Sequence, residues 1–565
     1  MADESLEIIG RISATEKSPT TIDKFYFWTK AGYELNPFDV IKVDHIRGSI
    51  TFGVIEEICH VTDSASHFAS YISSEFGENK EKKENGNSDR LQFNYVKARF
   101  IGNTHNINTP VLHDSLVSLC SVDDIQKALG LDKSKVKNPL VCGYLNMYGK
   151  QVPVHINANF LVGPDGAHLN ISGISGLACK TSYTMFLMNA LQQKYESLKA
   201  EKEEKGEKHE KVAYVMFNVK GRDLLSIDEP STELSDADKE MYKKLGLVVK
   251  PFSNVKYYYP YSSRSELHNM QSFADWDTMA NKQFIKGNAT IFKYSYKTCK
   301  DKLGYMFANE DDDSSGTMEN IIAYIENEND PFTGASTWTH FKNRLDRVLD
   351  GDSDMPARRS IQLGSWKKFY RIIDKILNDD VFEDGLSEEH AEVDLPQEIS
   401  EIREGEVKVI DIARLDERSQ AFVFGDVMGT IIEMMNTKVG PDALDKIVIF
   451  VDELNKYASK DCPANSPILK HLKDVTERGR SLGIILFAVE QFRSAIVDRV
   501  KGNCATSAYG RTNFVEVGTP DYRYLGDTYK SMLTRLDQGE YIIQNPALSS
   551  LVKIDFPKPT YKQNS

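Results

Sequence analysis

Residues Lys446 to Glu453, Lys-Ile-Val-Ile-Phe-Val-Asp-Glu, constrain the fold more than any other segment of the chain. Five consecutive apolar residues leave no polar face, which suits a strand buried on both sides, as in a parallel sheet covered by helices. Adjacent carboxylates at the end of such a strand stand where α/β sheets meet their ligands, outside the carboxyl ends of the strands. If the ligand is a polyphosphate, Asp452 orders a magnesium shell, because Mg²⁺ is held by one or two carboxylates together with phosphate oxygens. Glu453 then positions or deprotonates an attacking water. The same pattern fits a strand that merely ends in a solvated turn, and its neighbours decide between the two.

Upstream, His168-Leu-Asn-Ile-Ser-Gly173-Ile-Ser175-Gly176-Leu-Ala-Cys179-Lys180-Thr181-Ser182 reads as a strand, a Gly/Ser-rich turn and the start of a helix that carries Met185, Leu187, Met188 and Leu191. Such a turn aims backbone N–H groups and a helix N-terminus at phosphates. Gly173, Ser175, Gly176, Cys179, Lys180, Thr181 and Ser182 are the candidate phosphate-binding residues, with Lys180 as the point charge and Thr181 as a second magnesium ligand beside Asp452. The spelling departs from G-x-x-x-x-G-K-[ST]. Ile174 and Cys179 stand where glycines are expected, and Gly173 comes one residue early. A Cβ at position 179 matters if the backbone there needs a conformation that glycine prefers.

Downstream, Glu477-Arg478-Gly479-Arg480 leads into Ile484–Val489, which ends in Glu490-Gln491. Gln491 at that strand end is placed to sense a γ-phosphate or orient water. Arg478 and Arg480 suit a finger into a neighbouring subunit's site, or equally a basic turn paired with nearby acids.

The first 160 residues read differently. Short alternating segments at Leu6–Ile12, Phe25–Trp28, Val40–Val43, Ser49–Ile58, Val96–Ile101 and Val152–Ile156 predict a small β-barrel. Gly77–Arg90 is a solvated hairpin loop. After Phe160 the pattern is that of a parallel α/β sheet, with core strands at His168–Ile171, Val212–Val219, Val407–Ile412, Lys446–Val451 and Gly483–Val489. Residues 337–375 carry nine Lys/Arg and five Asp, with Trp338, Phe341, Leu345 and Val348 at helical spacing, which predicts an amphipathic helical insertion. Residues 378–406 carry twelve Asp/Glu and one Arg, and read as a solvated connector. Glu310–Asp313 lacks the spacing of a calcium loop and is a solvated turn.

A net charge of −14 argues against a surface coated for nucleic acid, so any such contact needs a local basic channel. Lys342, Arg344, Arg347, Arg358, Arg359, Lys367, Lys368 and Arg371 offer one, or else form a solvated or partner-docking helix face. Seven cysteines with no C-x-x-C spacing suggest neither a disulfide framework nor a zinc knuckle. No apolar run approaches the length of a bilayer span and no secretory leader is evident, which predicts a cytoplasmic protein without a membrane anchor.

In this order the segments resemble the HerA-type hexameric ATPases of the HerA/FtsK branch of P-loop motor proteins. Ile9-Gly10-Arg11-Ile12, Phe38–Ile41 and Gly53–Glu56 are similar to the family's N-terminal barrel, and Gly539–Ile543 with Val552–Pro557 to its closing hairpin, which braces adjacent subunits. The resemblance implies a RecA-like α/β P-loop core with an N-terminal β-barrel and an inserted helical subdomain. The implied limits are 1–160 for the barrel, 161–300 and 401–535 for the two parts of the core, 301–400 for the insertion and 536–565 for the hairpin. It further implies ATP and Mg²⁺ as cofactors and a homo-hexamer that binds or translocates double-stranded DNA. Lys180, Thr181, Asp452 with Glu453, Arg480 and Gln491 correspond to the family's lysine, hydroxyl, acid pair, finger and sensor, and Val407–Ile412 with Asp411 to a further strand of its ATPase domain. An effector subunit is implied as partner, either a NurA-type nuclease or a sirtuin-like NAD-degrading protein in antiphage defence. A ring scaffold with little hydrolysis is the alternative, and a conjugation-type coupling ATPase ranks last.

Overall fold

A computed structural model describes residues 7–73, 91–131, 136–176, 179–308, 310, 316–437 and 439–563. Six strands, β1 (Ile8–Ile12), β2 (Lys24–Thr29), β3 (Val40–Asp44), β4 (Ile50–Thr62), β5 (Gln92–Asn103) and β6 (Leu116–Leu119), close into a barrel in the order β1-β2-β5-β4-β3-β6. Its interior is filled by Ile9, Ile12, Phe25, Phe27, Ile41, Val43, Ile55 and Val96, the inward positions of alternating strands. Gly10 is required at the β1–β2 contact, where a Cβ would collide with the Trp28 carbonyl. The loop expected at Gly77–Arg90 lies outside the described residues.

The remaining strands form one sheet: β7 (Pro139–Met147), β8 (Lys150–Asn157), β9 (Leu169–Ser172), β10 (Val212–Asn218), β11 (Val255–Pro260), β12 (Ala289–Lys293), β13 (Glu392–Asp394), β14 (Val407–Asp411), β15 (Lys446–Val451), β16 (Ile484–Glu490), β17 (Thr506–Tyr509), β18 (Glu540–Gln544) and β19 (Val552–Asp555). Their order is β13-β12-β11-β14-β10-β15-β16-β9-β17-β18-β19-β7-β8. From β13 to β17 all pairings are parallel, and from β17 to β8 they are antiparallel.

Both faces of the parallel part are covered, as its apolar runs require. Along β15, Val448 and Phe450 join one core with Met185, Leu187 and Leu191 of the helix Lys180–Glu204. Ile447, Ile449 and Val451 join the opposite core with Phe424 and Val427 of the helix Glu417–Thr437 and Leu472 of the helix Pro467–Leu482. Each such side chain taken fully from water stabilises the fold by roughly 1.5–3 kcal/mol.

The structure revises three expectations. Val152–Ile156 belongs to β8, which pairs with β7 in the large sheet and not in the barrel; alternation alone does not reveal which sheet receives a strand. The acidic segment 378–406 is not a solvated connector. It supplies β13 and the helix Leu395–Ser400, and buries Val381, Phe382, Leu395 and Ile399. Its carboxylates have partners: Glu392 pairs with Lys293 at 2.9 Å, Glu398 with Lys256 at 2.9 Å, and Asp384 accepts from the backbone N–H of Tyr296 at 2.9 Å. Third, Glu310 is bound to Arg418 at 2.8 Å, while Asp311–Asp313 lie outside the described residues. The hairpin β18–β19 forms as expected and is paired on both sides within its own chain, to β17 and to β7.

The insertion is helical, with Trp338, Phe341, Leu345 and Val348 buried as expected. Arg358 is spent inside it, donating to the carbonyls of Val348 and Gly351 at 3.3 and 2.9 Å. Arg347, Arg359, Lys367 and Arg371 remain exposed.

Candidate functional site at the end of the parallel strands

Strand β9 is buried throughout and runs directly into the Gly173–Gly176 turn, after which the helix Lys180–Glu204 begins. Gly173 has φ 156° and Gly176 φ 81°. Cys179 takes the left-handed conformation (φ 47°, ψ 40°) at the helix N-cap, the geometry that glycine adopts without strain. Its Sγ accepts from Gln538 Nε2 at 3.0 Å. The spelling of the loop is therefore unusual, yet the chain performs the expected turn at position 179 with a side chain in place. Leu177 and Ala178 lie outside the described residues.

Lys180 is buried, and its Nζ donates to the Gly173 carbonyl at 2.6 Å and to Ser175 Oγ at 3.4 Å, closing the turn on itself. Burial lowers its pKa to about 8, partly countered by the negative charge of Asp452. Thr181 Oγ1 donates to Asp452 Oδ2 at 3.0 Å. Asp452 follows β15, which is separated from β9 by β16, so three neighbouring strands bring these groups to one end of the sheet.

Glu453 adopts φ 54°, its N–H donating to Asp452 Oδ1 at 2.8 Å and its carboxylate pairing with Lys456 at 3.0 Å. Such left-handed non-glycine residues cluster at functional sites. Gln491 follows the last residue of β16 and stands half-buried between the two motifs.

Three contributors were not singled out in the sequence. Lys220, just beyond β10, pairs with Asp452 Oδ2 at 3.2 Å. Partial burial works against its charge, but Asp452 outweighs this and holds its pKa above the usual lysine value. Glu490 is fully buried beside the turn; burial pushes its carboxyl up to about 7 against the charges of Arg493 and Lys180. The segment after β19 returns to the site, where Tyr561 and Gln563 join Ser175, Gly176, Cys179, Lys180, Thr181, Ser182, Lys220 and Asp223 around an open cleft of about 400 Å³. The signal for Lys220 is the strand end at Asn218; nothing local in the sequence marks Tyr561 or Gln563.

Asp411 lies outside the cleft. It is buried, held by Asn218 at 2.8 Å and by Ser272, and Asn218 in turn donates to the Gly221 carbonyl at 3.1 Å. It thereby fixes the turn that carries Lys220. Arg478 and Arg480 lie at the far end of the sheet, at the C-terminus of the helix that precedes β16. Arg480 donates to the Asp165 carbonyl at 3.2 Å. Seven residues of β16 span about 20 Å, so neither arginine reaches the cleft of its own chain.

A glycine-bearing turn that follows a buried parallel strand, a lysine and a hydroxyl at the start of the next helix, and an acid pair two strands away give the arrangement of a RecA-like P-loop fold. The residues fit a magnesium polyphosphate: a buried ammonium, a helix N-terminus, and a hydroxyl and carboxylate already in contact. Among the described residues no cluster of three or more His, Cys, Asp or Glu is arranged to hold a metal by itself.

No protein-family model and no curated protein matches the chain. Among solved structures, it is similar to the bacterial conjugative coupling protein TrwBdeltaN70, at 12% identity and TM-score 0.40, over 79% of this chain and 95% of that one. It is similar to the plasmid coupling protein TrwB in complex with ADP and Mg²⁺ at 11% identity and TM-score 0.39, over 70% and 86%. It is also similar to VirB4 of Thermoanaerobacter pseudethanolicus at 11% identity and TM-score 0.41, over 74% and 96%. Among the described residues no helix is long and apolar enough to cross a membrane.

Proposed function

We propose that the chain is a magnesium-dependent ATPase of the HerA motor type. The observation that carries this reading is the 3.0 Å contact between Thr181 Oγ1 and Asp452 Oδ2, with the buried Lys180 adjoining in sequence. Thr181 and Asp452 would hold Mg²⁺, and the turn from Gly173 to Ser182 would hold the phosphates. Bound Mg-ATP supplies a γ-phosphoryl group whose charge the metal neutralises. Glu453 orients or deprotonates the attacking water, Gln491 senses the γ-phosphate, and Arg480 or Arg478 serves a neighbouring subunit's site, because each is remote from its own.

The HerA assignment rests on a barrel preceding the core and on the order of the motifs. With it come a cytoplasmic homo-hexamer, double-stranded DNA as the translocated ligand, and an effector partner of the nuclease or NAD-degrading class in antiphage defence. A second reading, a ring scaffold with weak hydrolysis, draws on Cys179, whose Cβ occupies a left-handed position at the phosphate turn.

Native mass and equilibrium ATP binding, for the parent and Lys180→Ala, test the proposal. A hexamer that binds ATP only with Lys180 intact supports it, whereas a monomer, or binding indifferent to Lys180, refutes it.

A further inference from the structure

The segment Lys558–Gln563 after β19 is fastened along its length. The Lys558 carbonyl accepts from Tyr242 Oη at 2.8 Å, Thr560 Oγ1 donates to the Lys250 carbonyl at 2.7 Å, and the Thr560 carbonyl accepts from the Ser231 N–H at 2.9 Å. Tyr561 bridges Pro230 and is buried against Phe252. Lys562 pairs with Glu229 at 3.1 Å and also takes its backbone carbonyl at 2.8 Å. These contacts end at the cleft, where Gln563 Nε2 donates to Ser182 Oγ at 2.9 Å. Ser182 directly follows Thr181, so this amide lies beside the phosphate-binding turn, on the cleft that Lys220 also lines.

Gln563 is exposed, its neighbours Tyr561 and Lys562 are anchored, and it contributes nothing to the core. The anchoring delivers a side-chain amide, with two donors and a carbonyl acceptor, to the rim of a cleft otherwise lined mainly by phosphate-binding groups. From this placement we infer that Tyr561 and Gln563 form the nucleoside subsite of the cleft, Gln563 hydrogen-bonding the ribose or base of a nucleoside triphosphate and Tyr561 walling that end. The inference rests on the nucleotide reading of the site and assigns the discrimination of a nucleoside triphosphate from a bare polyphosphate to a segment about 380 residues away in sequence.

The test compares ATP with inorganic tripolyphosphate, both with Mg²⁺, binding to the full chain and to Gln563→Ala. Loss of one good hydrogen bond predicts about tenfold weaker ATP binding, with tripolyphosphate binding unchanged within about twofold. Equal effects on both ligands, no effect on ATP, or tighter ATP binding would each overturn the assignment; the last would make the segment an obstruction. If the parent binds neither ligand, the nucleotide reading itself fails and takes this inference with it. A thermal melt within about 1 °C of the parent, expected for an exposed side chain, shows that the fold is retained.

Discussion

Thr181 Oγ1 and Asp452 Oδ2, 271 residues apart in sequence, meet at 3.0 Å across the end of the sheet. The contact depends on β16 intervening between β9 and β15 in register, with Val451 opposite Ala488 and Glu490 opposite Ser172. Asp452→Ala leaves the Thr181 hydroxyl and the Lys220 ammonium without their partner. It should abolish magnesium-dependent nucleotide binding, and calorimetry with and without Mg²⁺ checks this.

Lys180 links nucleotide binding to protons. Burial lowers its pKa from 10.5 to about 8, so between those values the folded chain binds fewer protons than the unfolded one. This group's contribution to stability therefore rises with pH through that window, and below pH 8 the cost of burying the charge is fully present. A bound polyphosphate restores the ammonium form. Above pH 8, binding should take up a fraction of a proton that grows with pH, read from calorimetry in buffers of different ionisation enthalpy.

Glu490 carries the opposite dependence. Its folded value of about 7 exceeds the ordinary 4.5, so its contribution to stability is complete below pH 4.5 and is lost as pH rises through 7. Glu490→Gln should stabilise the fold at pH 8 by at most about 3 kcal/mol, read as a higher melting temperature, and give no gain at pH 4. Melting curves at the two pH values decide it.

Cys179 holds a conformation that costs a non-glycine residue about 1–2 kcal/mol. Cys179→Gly should keep or raise the melting temperature and preserve nucleotide binding. Cys179→Val, β-branched at the same left-handed position, should lower both.

Arg480 faces away from its own cleft, and its role is tested by mixing subunits. Arg480→Ala and Lys180→Ala should each abolish hydrolysis alone, since a finger contributes about 10³–10⁵ in rate. Subunits carrying the two changes, mixed in one ring, should regain part of the activity at interfaces that combine the intact halves. No recovery on mixing would exclude a role across the interface.

Much of the core was legible because its strands are buried on both faces, which leaves the mainly apolar segments Val212–Val219 and Val407–Ile412 and the uninterrupted run Ile447–Val451. The turn between β9 and the next helix was legible from Gly173, Gly176, Lys180 and Thr181 despite Cys179, since it needs a backbone shape that a cysteine can be made to adopt. Two kinds of feature were not legible. The acidic segment 378–406 reads as solvated because its burial depends on partners such as Lys293 and Lys256, far away in sequence. Tyr561 and Gln563 reach the cleft only through tertiary contacts with Glu229, Pro230 and Lys250, which no local pattern records.

ATP hydrolysis is the reaction proposed for this turn and acid pair. The most direct measurement is the steady-state rate of Mg²⁺-dependent phosphate release by the parent chain and by Glu453→Gln, with ATP binding followed in parallel. The expected result is release by the parent and a fall of about 10²–10⁴-fold in Glu453→Gln with ATP still bound. Release that Glu453→Gln leaves unchanged, or a parent that binds ATP without releasing phosphate, would contradict it.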